Sequence, residues 1–194
     1  MVQIDIIPEK AMVSFIEEKM LTAREEVVKL KPIQEKLKRE HDSLEVFYKF
    51  AEFKFDLHER IFTVTGKYDK EAYKSKKELT KEKIRFETKR DEYMKVLSQY
   101  LSFSKGSYFI AGIPEAAQTT KTNSDGAFVV RLKQGKYALV AHTTRKISDS
   151  TEEYYWLVWL SVTQGMQNKI LLSNDSLLET NCKDCVVRLS EIPY

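Results

Sequence analysis

The chain has 194 residues, 42% hydrophobic and 31% charged, with a formal net charge of +3 at pH 7. That composition belongs to a folded chain and excludes a disordered one. The charge is also evenly spread, 22 basic to 20 acidic residues over 1–103 and 10 to 9 over 104–194, which argues against a nucleic-acid partner.

The longest apolar run, near Tyr154 to Val162, is about half the roughly 18 residues needed to cross a bilayer, so no transmembrane segment is expected. The opening MVQIDIIPEKAMVSF carries Asp5, Pro8, Glu9 and Lys10 and lacks the basic start and apolar stretch of a secretory signal. If Met1 is the native start, a cytoplasmic protein is expected.

Breakers are unevenly placed. Before Ser104 stand only Gly66, Pro8 and Pro32; after it come five glycines and two prolines. The first half is rich in Glu, Lys, Leu and Phe and favours helix. From Ile16, steps of four and three residues visit Met20, Ala23, Val27, Leu30, Gln34, Leu37, His41, Leu44, Tyr48, Ala51, Phe55, His58 and Phe62. This is the a/d seam of a coiled coil.

Acid-first pairs four apart, Glu25 with Lys29, Glu35 with Arg39, Glu45 with Lys49 and Asp56 with Arg60, support the same helix, which is expected over 9–61. Pro32 removes a backbone donor and is expected to kink or break it. The stretch Thr63 to Asp69 reads as a reversal, with Gly66 for positive φ and Asp69 as cap. A second helix is expected over 70–102, with a seam of Ala72, Leu79, Phe86, Tyr93, Leu97 and Tyr100 interrupted by Lys83 and Arg90.

After Phe103 the pattern changes to alternation. Ser107 to Ile113, Phe128 to Leu132, Tyr137 to His142, Tyr154 to Thr163, Lys169 to Leu172 and Cys185 to Leu189 are β-prone runs bounded by turn formers. The expected fold is therefore two-part α+β: a long α-helical coiled-coil hairpin over 1–103, then a small antiparallel β-sandwich over 104–194.

The thread from Thr120 through Asn123-Ser-Asp-Gly-Ala-Phe128, a run ending at Leu132, and then Gly135-Lys-Tyr-Ala-Leu-Val-Ala141 resembles the carboxypeptidase regulatory-like domains of the transthyretin-like (prealbumin) sandwich. In that family a T-D-x-D-G-x-F … L-x-x-G-x-Y-x-L-x-A pattern marks adjacent strands; Asn123 stands here for the usual Asp. The likeness covers about residues 107–175. It implies a non-catalytic folding, adhesion or interaction module, often outside the cytoplasm, hence a periplasmic or cell-envelope location.

The residues themselves offer few sites. Asn123 to Gly126 resembles part of a calcium loop, but Lys121 and Leu132 occupy positions where acids are needed, so a turn is expected. Cys182 and Cys185 form a single C-x-x-C, readable as a disulfide or reduced pair, a metal or intermolecular link, or a redox pair. His41 and His58 occupy seam positions seventeen apart, too far for a same-helix metal pair, and His142 ends a strand.

Tyr154, Tyr155, Trp156 and Trp159 are the best partner or ligand candidates. Alternation sends Trp156 and Trp159 to opposite faces, so one is expected in the core; the other is buried too if the helices cover the strand, and an exposed platform for a protein or carbohydrate is the minority reading. Residues 67–95 carry eleven basic and seven acidic side chains, the pattern of a solvated face, with attraction to phosphate or a membrane surface as the minority reading.

No catalytic constellation, cofactor motif or metal set stands out. The expected function is a non-catalytic structural or interaction protein, joining a partner or itself as a homo-oligomer through the coiled coil or the sandwich. Carbohydrate binding and thiol redox chemistry are the alternatives.

Overall fold

The structure is a computed structural model and describes residues 1–66, 70–148, 150–165, 169–181, 187 and 189. It has long helices and a small four-stranded antiparallel sheet, an α+β fold. The expected cap Asp69 and the Cys182 to Cys185 pair lie outside the described residues.

The chain groups into two compact units, Met1–Val27 with Leu101–Tyr194, and Val28–Tyr100. This differs from a division at 103/104, because the first residues form a strand. In VQIDII, apolar Val2, Ile4 and Ile6 alternate with Gln3 and Asp5, a period that places one set on a buried face.

In the first unit, β1 (Gln3–Pro8) lies inside the sheet between β2 (Gln118–Lys121) and β3 (Gly135–Ile147), and β4 (Ser150–Val162) completes the order β2-β1-β3-β4. Ile4 stands opposite Thr120 on one side and Ala141 on the other. β3 and β4 pair along their whole length, from Gly135 with Val162 to Ile147 with Ser150.

One sheet face gathers Ile4, Ile6, Leu139, Ala141 and Trp156, against which Phe128, Val130, Leu132, Ile170 and Leu172 pack. The expected runs 128–132 and 169–172 thus keep their inward alternation but are not strands of the sheet. On the other face Ile7, Ala138, Val140 and Leu157 are buried.

The expected strand at Ser107 to Ile113 is a short helix instead, α3 (Gly106–Ile110), which buries Phe109. The Tyr108 ring meets Phe103 and Phe109 edge-on at 5.0 and 5.1 Å, contacts between residues five and one apart that alternation does not reveal. α3 also lies against β4, so that a Cβ on Gly106 would stand 3.0 Å from that of Tyr155.

The turn at 123–126 is a built one. Asn123 Oδ1 accepts hydrogen bonds from the amides of Asp125 and Ala127, at 3.0 and 2.8 Å, and Gly126 takes φ of 78°. The side-chain oxygen is thus occupied by backbone donors, the behaviour of Asn in an Asx-turn.

α1 (Glu9–Thr65) follows Pro8 directly and is shared between the units at Val27 and Val28. It passes through Pro32 without ending, against expectation. Pro32 deprives the Val28 carbonyl of its amide donor. Both residues are exposed, on the side of the helix where a carbonyl without its amide donor costs least.

In the first unit α1 buries Met12, Ile16, Met20, Ala23 and Val27. In the second, its residues Gln34, Leu37, His41, Leu44, Tyr48, Ala51, Phe55 and His58 are all buried or half-buried, the same seam continued. α2 (Lys70–Ser102) supplies the facing side chains. Gln34 Nε2 donates to the Tyr93 hydroxyl at 3.4 Å, Tyr48 stacks on Phe86 at 5.3 Å, and Lys54 Nζ meets Glu78 at 3.3 Å. Partners fall from 93 to 78 as α1 rises from 34 to 54, so the two helices run antiparallel.

Lys83 and Arg90, expected on the α2 stripe, are exposed, and half-buried Glu82 and Lys89 stand beside the apolar positions instead. α1 ends at Thr65, where Gly66 (φ 64°) donates its amide to the Phe62 carbonyl at 2.8 Å. Among the described residues no helix is long and apolar enough to cross a membrane.

The close seat of Gly106 yields a test. Gly106→Ala pushes a methyl group into the base of Tyr155, and the expected loss is about 1–3 kcal/mol in denaturant unfolding. Unchanged stability would show that α3 does not press on β4.

Candidate interaction face

A helix that buries one stripe normally turns polar side chains to water on the opposite side. α1 does not do so in its last third. At 100° per residue, Val46, Phe50, Phe53, Leu57, Ile61 and Val64 fall within about 80° of one another, across the helix from His41, Tyr48, Ala51 and Phe55. Their exposures are 67, 57, 63, 47, 46 and 86%. Phe47, at 56%, widens the face.

Charges of both signs border it. Lys49 Nζ pairs with Glu45 at 2.6 Å on the same helix, and Lys54 Nζ lies 5.0 Å over the Phe50 ring as well as against Glu78. The Glu45 hydrogen bond holds the Lys49 ammonium above the usual lysine range.

This face was not among the expectations from sequence, which followed a single seam along α1. The signal was present as a second set of steps, four, three, four, four and three, from Val46 to Val64.

The seam histidine at 41 has a structural setting. Its ring lies 5.1 Å from that of Phe86 and 5.4 Å from that of Tyr93, and Nδ1 is 3.0 Å from Asp42. Donor atoms of His41, Asp42 and Glu45 lie within 4.8 Å of one another. Two of these groups pair with each other and the third pairs with Lys49, which accounts for the cluster without a metal.

Between α2 and α1 Lys89 Nζ meets Glu40 at 3.0 Å, and along α2 it meets Glu92 at 2.6 Å. The Lys89 hydrogen bond holds the Glu40 carboxyl below the usual carboxylate range, while Glu92 and then Glu40 hold the ammonium above its own. Residues 67–95, the basic stretch, contribute an open depression of about 500 Å³ lined by Tyr73, Lys76, Lys77, Thr80, Lys81 and Ile84. All six belong to α2, and the surface is a helix face rather than a cleft.

In the sheet unit the aromatic strand divides as its alternation requires. Trp156, 9% exposed, belongs to the packed face, donates Nε1–H to the Ser173 carbonyl at 2.8 Å and stacks on Tyr154 at 5.9 Å. Tyr154 donates its hydroxyl to Glu152, and that hydrogen bond raises the phenol above its ordinary value. Tyr155 stacks on His142 at 4.6 Å and donates to Glu153. Trp159 keeps 36% of its surface exposed, opposite Ala138. The four candidates therefore do not form one platform; Trp159 is the accessible tryptophan. Cys182 and Cys185 lie outside the described residues.

Comparison of the chain with protein-family models, with curated proteins and with solved structures finds no match.

Two outcomes follow from these contacts. Trp156→Phe loses the bond to Ser173 and is expected to cost about 0.5–1.5 kcal/mol, whereas Trp159→Phe stays within about 0.5 kcal/mol; equal costs in urea unfolding would contradict the assignment.

For the ion pair, the Glu40 contribution to stability is present above its unfolded pKa and is lost as pH falls through the lowered folded value. The Lys89 contribution is present below its unfolded pKa and is lost as pH rises through the raised folded value. Lys89→Ala should move the Glu40 titration, followed by NMR, upward toward an ordinary carboxylate; no movement would remove Lys89 as its cause.

Proposed function

We propose that the chain is a non-catalytic structural or interaction protein whose helices form a coiled-coil hairpin, and that the open face of α1 from Val46 to Val64 docks a protein partner. The observation that carries this reading is the second apolar stripe. Large apolar side chains gathered on one exposed helix face are uncommon on a chain that works alone, and an amphipathic stripe is what a partner helix or groove takes up at i, i+3, i+4 and i+7.

The assignment of residues 107–175 to a transthyretin-like domain is a further proposal, supported by the Asn123 to Gly126 turn and the inward alternation of Phe128, Val130 and Leu132. On it the sheet unit is a folding or adhesion module. A second reading, carbohydrate binding at the sheet, is favoured by the exposure of Trp159. A single ring offers one stacking plane, so the helical face supports the first reading more strongly.

The test uses the full chain at a concentration low enough for it to be monomeric. The dye ANS should bind the native chain severalfold better than a Phe50→Gln, Phe53→Gln variant of equal helix content. Equal dye binding would sink the docking reading.

A further inference from the structure

Between Val46 and Val64 the charged residues are Lys49, Lys54 and Arg60 against Glu52, Asp56 and Glu59. The segment is neutral, with both signs beside the apolar stripe. An anionic lipid surface draws on clustered Lys and Arg along the polar face of an amphipathic helix, and this segment has no such excess. A surface that carries its own complementary charges is suited to another surface of the same composition.

The area agrees. Aromatic side chains bring about 150–250 Å² each, so Phe47, Phe50 and Phe53, all more than half exposed, supply roughly 250–450 Å² between them. Val46, Leu57, Ile61 and Val64 extend the face toward the roughly 800 Å² per partner of a stable dimer.

Resting on the docking reading above, we infer that the partner is a second copy of this chain, its α1 laid antiparallel across the first. The stripe carries a coiled-coil pattern: Val46, Phe53 and Arg60 fall at d, Phe50, Leu57 and Val64 at a, Lys49 and Asp56 at g, and Lys54 at e.

A parallel pair sets each g residue against the e residue five positions on in the other chain, which brings Lys49 onto the second copy's Lys54, a like-charge contact. An antiparallel pair sets g against g. With Phe50 packed on the second copy's Phe53, and Val46 on its Leu57, Lys49 reaches the second copy's Asp56. The two-fold axis makes that ion pair twice. Lys49 is already 2.6 Å from Glu45, which holds its ammonium on this flank of the helix.

The experiment is sedimentation of the full chain and three variants over a concentration series, with helix content followed by circular dichroism. The native chain should dimerise, and Phe50→Gln with Phe53→Gln should be monomeric at unchanged helix content. Lys49→Asp alone should weaken the dimer roughly tenfold, since two attractive contacts become repulsive. Adding Asp56→Lys to it should restore the native affinity, because the pair is only reversed.

Tighter association of Lys49→Asp would overturn the antiparallel arrangement, since in a parallel pair the new carboxylate would face the second copy's Lys54. A native chain that stays monomeric at high concentration overturns the second copy as occupant, and so does one that instead floats with phosphatidylglycerol vesicles. In either case the dye experiment still tests separately whether the face offers the accessible apolar surface that the docking reading requires.

Discussion

Burial of one apolar stripe along α1 is the constraint on which both units depend. Up to Val27 the stripe is covered within the sheet unit, where Met12, Ile16, Met20, Ala23 and Val27 are almost wholly removed from water. From Gln34 to His58 the cover is thinner and the positions are mostly half-buried. Each buried aliphatic contributes on the order of 1.5–3 kcal/mol, so the first segment is anchored more firmly per residue than the second. Ion pairs also join α1 and α2 there, Lys89 with Glu40 and Lys54 with Glu78, but each is worth little when solvated and does not make up the difference.

Much of this was legible. The steps from Ile16 to His58 match the protected side of α1, and α2 runs over the stretch read from its composition. Helix period is a strong signal over such lengths because dozens of residues repeat it. The turn at Asn123 was legible for a local reason, since its hydrogen bonds join residues at most four apart.

What was missed involves distance along the chain or a competing pattern. β1 alternates plainly, but its partners begin at Gln118, and a lone strand of six residues carries no mark of the sheet it enters. α3 is too short for a helical period to show. The outer face of α1 lies off the seam that runs from Ile16 to Phe62: Phe50 and Phe53 fall between its positions, where a single heptad pattern assigns them no partner. Two stripes on one helix mean that it has two surfaces to cover, and composition alone does not say which is already covered.

The direct join between β1 and α1 has a consequence for how the chain is made. β1 occupies an inner position in the sheet, yet Gln3 pairs across to Lys121 and His142. At ribosomal rates of about 5–20 residues per second, the strand waits on the order of 10–30 s for its second neighbour to be synthesised. Meanwhile α1 and α2 are emerging, and their contacts form between neighbours on a simple antiparallel path that returns the chain. The helices are thus positioned to fold first and to shorten the gap, and β1, made before them, is among the last elements to find its place.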